Sequence, residues 1–332
     1  MDIFKKLTER PGPLGQYSSY AHGYFMFPTL DGDISNRMKF RGEEKIVWSL
    51  NNYLGLANHP EVREADAKGS TDFGLARPMG ARMMSGDSPY HQQLENELSE
   101  FVQKEDTFLL NYGYQGVISI LDCLLDRHDI LVYDAESHAC IVDGARLHMG
   151  KRFAFKHNDM DSLEKQLEHA SKLVSDNGGI LVVTEGVFGM SGNQGNLKDI
   201  VAFKKKYKFR LFIDDAHGFG VMGPKGEGTH MEQQVQNEVD IYFSTFAKSM
   251  ASIGAFVSAN KNIITYLRYN MRSQIYAKSL PLPLVIGDLK RLELIKRSTE
   301  HKDKLWNVVN KLQSGLKARG LNIGTTNSCV TP

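Results

Sequence analysis

The sequence predicts an α/β protein with a mainly parallel sheet that is covered by helices on both sides. Short continuous apolar runs, which are typical of strands buried on both faces, recur through most of the chain. Segments with helical spacing, or with residues that start helices, separate these runs. Polar and charged residues directly follow several runs, and ligands of such sheets collect at the carboxyl ends of the strands. The same pattern therefore predicts the edge of the sheet where a site would lie.

The composition limits the class of protein. The 332 residues suffice for a large core, and the 40 basic and 39 acidic residues leave a net charge of +1. This balance predicts no nucleic acid partner. Three cysteines (Cys123, Cys140 and Cys329) form neither a disulfide framework nor a spaced metal set, which favours a reducing cytoplasm and no metal. The sequence has no apolar signal-peptide core and no run long enough to cross a bilayer, so we expect a cytoplasmic protein without a transmembrane segment.

The first part of the chain has weak periodicity. Residues 1–45 are rich in Gly, aromatic and charged residues, and we expect an arm that lies over a larger body or a neighbouring subunit. A strand is predicted over residues 46–50. Pro60 suits the first turn of a helix, with Asn58 or His59 as its cap.

Strands and helices alternate after this point. An irregular segment over residues 74–86 precedes a helix that Ser88 and Pro89 open. Another helix is predicted over residues 117–125. The predicted buried strands cover residues 108–110, 130–133, 180–184, 211–213 and 241–245.

The last part of the chain differs from this pattern. An apolar stripe with helical spacing begins at Leu305, and Gly320 is well placed to end that helix. A strand is expected to begin at Leu321. Because a helix pair and one strand make a poor domain, we expect residues 286–332 to be the incomplete start of a C-terminal domain. A large domain would cover residues 46–285.

The stretch from Arg210 to Gly223 combines a buried strand with polar chemistry. Two carboxylates, Asp214 and Asp215, follow the strand, and His217 comes three residues after the first. A buried carboxylate is unfavourable unless a cation or a hydrogen-bond donor lies beside it. The alternative is a turn whose acids face water.

Five chemically useful side chains fall just after predicted strands. Each of them has a structural alternative, and for a lone His or Lys that alternative is the simpler interpretation. Together, at one edge of one sheet, they favour a functional site. The five are His138, Glu185, Asp214, His217 and Lys248.

A glycine pattern in the same stretch is misleading. Residues 218–223 match the dinucleotide fingerprint G-x-G-x-x-G after a strand, but that fingerprint requires a helix to start there. Instead a loop composition follows from Pro224 to Gly228, and Asp240 precedes a strand rather than ending one. We therefore exclude a nicotinamide or flavin site.

Lys248 directly follows a predicted buried strand and has the surroundings of a cofactor lysine. Thr245 and Ser249 offer hydroxyls for an anion, and Gly113 and Tyr114 offer backbone amides at a helix start. A reactive lysine, a phosphate cradle and a buried acid are the parts that a pyridoxal phosphate site needs.

Five motifs, in order along the chain, resemble those of the α-oxoamine synthases, and the match runs from about Ile46 to the end. Among the members of this family, the motifs most resemble those of serine palmitoyltransferase. The resemblance implies fold type I of the pyridoxal phosphate transferases, with a seven-stranded sheet, a small C-terminal α/β domain and a homodimer whose sites lie at the interface. The motifs are Asn52-Tyr-Leu-Gly55, His138-Ala-Cys-Ile-Val-Asp-Gly144, Glu185-Gly-Val-Phe-Gly-Met-Ser-Gly192, Asp214-Asp-Ala-His217 and Thr245-Phe-Ala-Lys248.

The resemblance also implies roles for the matched residues. Lys248 would hold the cofactor covalently and act as base, and Asp214 would pair with the pyridine nitrogen. His138 would stack on the ring, and His217 would bond its phenolic oxygen. These four are the predicted catalytic residues. Cofactor binding is assigned to Lys248, Asp214, His217, His138, Ala216, Gly113, Tyr114, Thr245 and Glu185, and substrate binding to Asn52, Arg82 and Lys278.

Some residues depart from the family pattern. Small residues are usual where this chain has Lys278, and the family's carboxylate-binding Arg would lie beyond the last residue. Arg77, Arg82 and Lys278 would suit a second negative charge on the amino acid, as in cysteate, because such cations bind oxyanions well. The alternative is that they serve structure, the dimer interface or the phosphates of the acyl donor.

The implied activity is a pyridoxal phosphate-dependent acyl transfer. An amino acid, serine or cysteate, would condense with a long-chain acyl thioester of CoA or acyl carrier protein, with loss of carbon dioxide, to a sphingoid-type aminoketone. Other activities of the family, those of 8-amino-7-oxononanoate synthase and 2-amino-3-ketobutyrate CoA ligase, are open alternatives. So are a fold-type-I aminotransferase and a non-catalytic partner subunit, although the presence of Lys248 argues against the last.

Overall fold

The computed structural model describes residues 2–332 and divides into two compact units. The first unit ends at Leu50, and the second covers Asn51–Pro332.

The first unit combines short helices with a small antiparallel sheet. Its helices are α1 (Ile3–Glu9), α2 (Gly12–Gly15) and α3 (Ser18–Ala21), and its strands are β1 (Leu30–Asp31), β2 (Arg37–Phe40) and β3 (Glu43–Ile46).

The strand predicted over residues 46–50 is wrong, because β3 lies earlier and ends at Ile46. Arg41 and Gly42 both have positive φ values (52° and 83°), which is typical of a tight hairpin turn. This turn sets the pairing of Arg37 with Ile46, where the partner strand ends. One more backbone bond follows, from the Val47 N–H to the Asn36 carbonyl at 2.9 Å, but residues 47–50 form no strand.

The second unit is built on a seven-stranded sheet in the order β4-β10-β9-β8-β7-β5-β6, which confirms the predicted mainly parallel sheet. Four neighbouring pairs are parallel, and β10 alone runs antiparallel to both of its neighbours, β4 and β9. The strands are β4 (Asp106–Leu110), β5 (Ile130–Asp134), β6 (Lys151–Phe155), β7 (Ile180–Glu185), β8 (Arg210–Asp214), β9 (Ile241–Thr245) and β10 (Ala255–Ala259).

Eleven α-helices of the described chain belong to this unit. The helix predicted over residues 117–125 begins earlier, at Gly113. The helix start predicted at Pro60 is confirmed, with His59 at the N-cap position. The helices are α4 (Pro60–Phe73), α5 (Pro89–Phe101), α6 (Gly113–Leu124), α7 (Ala139–Leu147), α8 (Met160–Leu173), α9 (Leu197–Ala202), α10 (Thr229–Glu232), α11 (Lys261–Asn270), α12 (Arg272–Ile275), α13 (Leu282–Arg297) and α14 (Glu300–Ala318). Across residues 2–332, none of the helices has both the length and the apolar character needed to cross a lipid bilayer.

The core lies on both faces of the sheet. In β8, Leu211 and Ile213 pack in one apolar cluster with residues of α5, α8 and α13, whereas Phe212 packs in the other with residues of α6, α7 and α11. Successive side chains of a strand point to opposite faces, so a strand buried on both sides needs an unbroken apolar run. The packing explains the sequence pattern from which this strand was predicted.

The chain after α14 docks on the loop that follows β7. Gly320 has a positive φ of 75° just beyond the end of the helix, as predicted, but no strand forms in residues 319–332. The Asn193 side chain instead donates to the carbonyl of Thr325 at 3.0 Å, and the Gln194 backbone donates to Asn327 at 2.8 Å. The strand expected at Leu321 is therefore wrong, because this segment bonds to a loop rather than to a sheet edge.

Asp288 is a fully buried acid on α13 and should make stability depend on pH. Burial raises its pKa to about 8, although Arg291 and Ser252 oppose the shift. Because the carboxyl stays neutral in the folded chain but ionises in the unfolded chain between about pH 4 and pH 8, the folded chain loses stability as the pH rises through this window. We expect Asp288→Asn to gain about 3 kcal/mol relative to the wild type between pH 5 and pH 8.

Urea unfolding midpoints at several pH values measure this gain. The control is Glu293→Gln, which changes a solvent-exposed acid of the same helix and should show no such trend. Parallel pH curves for Asp288→Asn and the wild type would contradict the prediction.

Candidate active site

A cavity of about 180 Å³ opens where the carboxyl ends of β7, β8 and β9 meet the first residues of α6. The structure places all nine residues predicted to bind the cofactor on its wall. Their roles stay predictions, but their convergence from separate parts of the sequence is a structural fact. The cavity is lined by Gly113, Tyr114, His138, Cys140, Glu185, Asp214, Ala216, His217, Phe243, Thr245, Ala247 and Lys248.

Asp214 ends β8 inside this cavity and is 5% exposed. Its Oδ1 accepts a hydrogen bond from the backbone N–H of Ala216 at 3.1 Å, and the Cys140 thiol lies 3.9 Å from Oδ2. Burial raises the pKa of this carboxyl, while the nearby Lys248 amine lowers it. A carboxyl in such a place holds its charge best beside a cation, which is what a protonated pyridine nitrogen would supply.

Asp215 does not belong to the cavity wall, although it is the next residue. Its carboxylate accepts the backbone N–H and the hydroxyl of Thr229 at 2.8 and 2.6 Å, and the Tyr242 hydroxyl at 3.0 Å. Burial raises its pKa to about 7 against these bonds. The second acid therefore ties the segment after β8 to the core, and the first alone faces the cavity.

His138 is fixed by the start of α7. Its ring Nδ1 accepts from the backbone N–H of Cys140 at 3.3 Å as the helix N-cap and lies 2.9 Å from the Cys140 sulfur. Its backbone N–H donates to the Glu185 carboxyl at 2.5 Å. The imidazole is held in place at one edge, lines the cavity and contacts the Tyr114 ring in a T-shaped arrangement at 5.9 Å.

Lys248 lies in a tight loop between β9 and β10. The backbone N–H of Phe246 closes this loop on the carbonyl of Gly254 at 3.0 Å, and Arg291 donates to the carbonyl of Met250 at 2.9 Å. Burial lowers the pKa of the Lys248 amine, although the nearby carboxyls of Asp214 and Glu185 raise it. A partly neutral amine on a braced loop is suited to covalent attachment and to proton transfer.

His217 has a partner that sequence reasoning missed. The Tyr53 hydroxyl and the His217 Nδ1 form a hydrogen bond of 2.9 Å, and burial lowers the pKa of His217 to about 3. A Cβ at Gly189 would approach His217 Nε2 to 2.3 Å, so only glycine admits the ring there. Tyr53 lies within the Asn52–Gly55 motif and could have been proposed from it, as could Cys140 from the His138 motif.

The first turn of α6 forms the anion cradle of the cavity. The first backbone N–H groups of a helix lack intrahelical partners and attract anions. A Cβ at Gly113 would lie 3.2 Å from Thr245 Oγ1, so a side chain would crowd the cradle. The Thr245 hydroxyl donates to the carbonyl of Gly254 at 2.9 Å, which leaves the helix amides as the free donors. Acid, amine, imidazoles and anion cradle together fit pyridoxal phosphate.

None of the three residues predicted to bind the substrate lines this cavity. The Asn52 side-chain oxygen accepts from the backbone N–H of Ala57 at 3.1 Å. Arg82 is 8% exposed at its side chain and forms a two-point ion pair with Glu95 at 2.8 and 3.0 Å and another with Asp87 at 2.9 Å. This arrangement favours a structural role for Arg82, which braces its loop against α5.

Lys278 is placed differently, because its side chain is exposed and makes no ion pair within residues 2–332. Its carbonyl accepts from the Asn111 side chain at 2.5 Å, two residues before Gly113. Its Nζ lies 3.4 Å from the Met79 sulfur. The Lys278 backbone is thus tied to the residue two positions before α6, while its ammonium lies beside Met79.

Comparison with known proteins gives concordant results. The family model of class I and II aminotransferases matches residues 43–332. A cysteate-C-fatty acyltransferase from Capnocytophaga ochracea is 58% identical over 332 residues, 100% of this chain and 79% of that protein. A serine palmitoyltransferase from Bacteriovorax stolpii is 34% identical over 297 residues, 90% of this chain and 70% of that protein. A variant of serine palmitoyltransferase from S. paucimobilis, solved with a bound PLP–myriocin aldimine, has a TM-score of 0.90 and 27% identity, over 100% of this chain and 84% of that one.

Proposed function

The chain belongs to the class I and II aminotransferase family and, within it, to the α-oxoamine synthases, and from this premise we propose that it condenses cysteate with a long-chain acyl thioester. Carbon dioxide leaves, and the product is a sulfonated long-chain aminoketone. The seven-stranded sheet and the likeness to serine palmitoyltransferase confirm the predicted fold type I. The observation that carries the proposal is the convergence of a buried acid, a lysine, two imidazoles and a helix N-terminus in one cavity.

The cofactor of this family is pyridoxal phosphate, which when bound supplies an electron sink for the bonds of the substrate's α-carbon. Asp214 would hold the ring nitrogen in its protonated state, and His138 would support one face of the ring. The amides of the first turn of α6 would hold the phosphate.

Lys248 would have two tasks in the reaction. It would hold the cofactor covalently and, once released by the incoming amino acid, remove the α-proton with its free amine. Burial lowers the pKa of this amine, which increases the fraction that can accept a proton near neutral pH. His217, oriented by Tyr53, would donate to or accept from the phenolic oxygen of the cofactor.

Thiol release from acyl-CoA and acyl carrier protein, measured with cysteate, serine, glycine and alanine, tests the proposal. Cysteate should support the fastest release. Keto acid formation without a thioester would identify an aminotransferase, and no turnover with any pair would favour a non-catalytic subunit. Preference for glycine or alanine would point to another activity of the family.

Lys278 is the residue that we expect to favour cysteate over serine. A sulfonate adds a negative charge that an unpaired ammonium can bind, and charge-assisted hydrogen bonds of this kind are among the stronger ones. We expect Lys278→Ala to lower kcat/KM for cysteate by on the order of tenfold or more, with serine changed by less than about threefold. Competition between the two amino acids for one acyl donor measures the change.

Two further variants control this experiment. Lys278→Arg keeps a cation and should retain most of the preference, and Lys311→Ala removes an exposed lysine of α14 and should change nothing. An equal decrease in kcat/KM for serine and cysteate in Lys278→Ala would show that Lys278 does not recognise the sulfonate.

We further propose that the enzyme acts in the cytoplasm as a homodimer whose sites lie at the subunit interface. The three free thiols accord with a reducing compartment. Residues 1–45 would then serve as an arm at the partner subunit, and residues 286–332 would begin the C-terminal domain.

A further inference from the structure

Two carboxyl groups share the cavity with one amine. Glu185 and Asp214 are register partners on the parallel strands β7 and β8, so their side chains point to the same face of the sheet. Each is 5% exposed, and both line the cavity with Lys248. Two buried carboxylates this close repel each other strongly, so one proton is favoured between them.

We infer that Glu185 is a neutral carboxylic acid that positions His138, and that Asp214 is left as the only carboxylate facing the cofactor ring. The inference uses the cofactor pocket of the proposed function but not the identity of either substrate. Glu185 reaches His138 through a single contact, the 2.5 Å bond from the His138 backbone N–H to Oε1. This contact sets the N-cap residue of α7, whose ring would lie on the cofactor.

The surroundings of the two acids decide which of them carries the proton. The groups that face Glu185 are Asp214 on β8, Lys248 on its loop, Asp134 on β5, the Cys140 thiol on α7 and the His138 backbone. Burial and the charge of Asp214 raise the pKa of Glu185 well above its usual range, and Asp134 adds to the shift. Burial also raises the pKa of Asp214, but the positive charge of Lys248 is the largest influence that lowers it. The proton therefore belongs on Glu185.

A neutral Glu185 has a defined hydrogen-bonding capacity. One oxygen accepts from His138, and the hydroxyl of the acid remains as a donor on the cavity wall. Glutamine reproduces this pattern with an amide oxygen and an N–H donor, and it carries no charge. Alanine removes the acceptor and leaves the His138 N–H buried without a partner.

The holoenzyme with Glu185→Gln and Glu185→Ala tests the inference. We expect Glu185→Gln to keep cofactor affinity within about twofold, whereas Glu185→Ala should weaken it about tenfold through loss of the His138 anchor. The midpoint of the pH titration of the visible cofactor band should not move in Glu185→Gln. The infrared difference between wild type and Glu185→Gln at pH 7 should show the C=O stretch of a carboxylic acid.

Specific outcomes would overturn the inference. Carboxylate bands in that difference spectrum, or a titration midpoint that moves by about one unit or more in Glu185→Gln, would show that Glu185 is ionised. Unchanged affinity in Glu185→Ala would show that it does not position His138. Asp214→Asn is the matched control, whose difference spectrum should show the loss of a carboxylate. These measurements use the holoenzyme without amino acid or acyl donor. Their outcome therefore does not depend on whether the proposed condensation is correct.

Discussion

Lys248→Ala is expected to abolish condensation, with turnover reduced by at least on the order of 10⁴-fold. The amine at this position would be both the covalent anchor of the cofactor and the base for the α-proton, and no other lysine of residues 2–332 lines the cavity. The visible absorbance of the covalently held cofactor should disappear from the variant. Cofactor retained through the α6 amides and Asp214 should then be removable by gel filtration more readily than in the wild type.

Two variants control this result. Lys248→Arg keeps a positive charge but has no primary amine, so it should lose turnover as completely as alanine does. Lys205→Ala, which changes an exposed lysine away from the cavity, should behave like the wild type. Full turnover by Lys248→Ala would falsify the assignment of this residue and with it the proposed mechanism.

Asp214→Asn is expected to slow removal of the α-proton by on the order of 10² or more, since each 1.36 kcal/mol of barrier is worth tenfold in rate. The substitution keeps the shape of the side chain and removes its charge. The protonated pyridine nitrogen then loses a charge-assisted hydrogen bond in a site shielded from water. Exchange of the substrate α-proton with D₂O, followed by NMR without an acyl donor, measures this step directly.

Asp215→Asn provides the contrast for this prediction. Its carboxylate is bonded to Thr229 and Tyr242 outside the cavity, so its replacement should lower the unfolding midpoint more than the exchange rate. Equal exchange rates in the wild type and Asp214→Asn would show that Asp214 does not support the ring nitrogen.

Much of the fold and the edge that carries the site could be predicted from local sequence. An unbroken apolar run such as that of β8 is required when both faces of a strand are covered, and the two core clusters show that they are. The end of each strand can also be recognised from neighbouring residues in the sequence. This is why one edge of the sheet could be assigned His138, Glu185, Asp214, His217 and Lys248. The resemblance of their motifs then predicted the cofactor.

Two strands of the sheet were not predicted, for different reasons. β6 lies at an edge, and four of its five residues are exposed or half-buried, so it has no continuous apolar run. β10 is buried but includes two alanines and a serine. Its antiparallel pairing with β4 joins residues about 150 positions apart, which no local pattern encodes.

By itself, the sequence determined the fold class, the family and the residues that follow each strand. Only the tertiary structure decided which of two adjacent acids faces the cavity, that Tyr53 reaches His217 across 164 residues, and that Arg82 is paired with Glu95. The physical reason is that burial pattern and strand ends depend on neighbouring residues. A side chain's partner instead depends on strand register and on loops that meet only after the chain has folded.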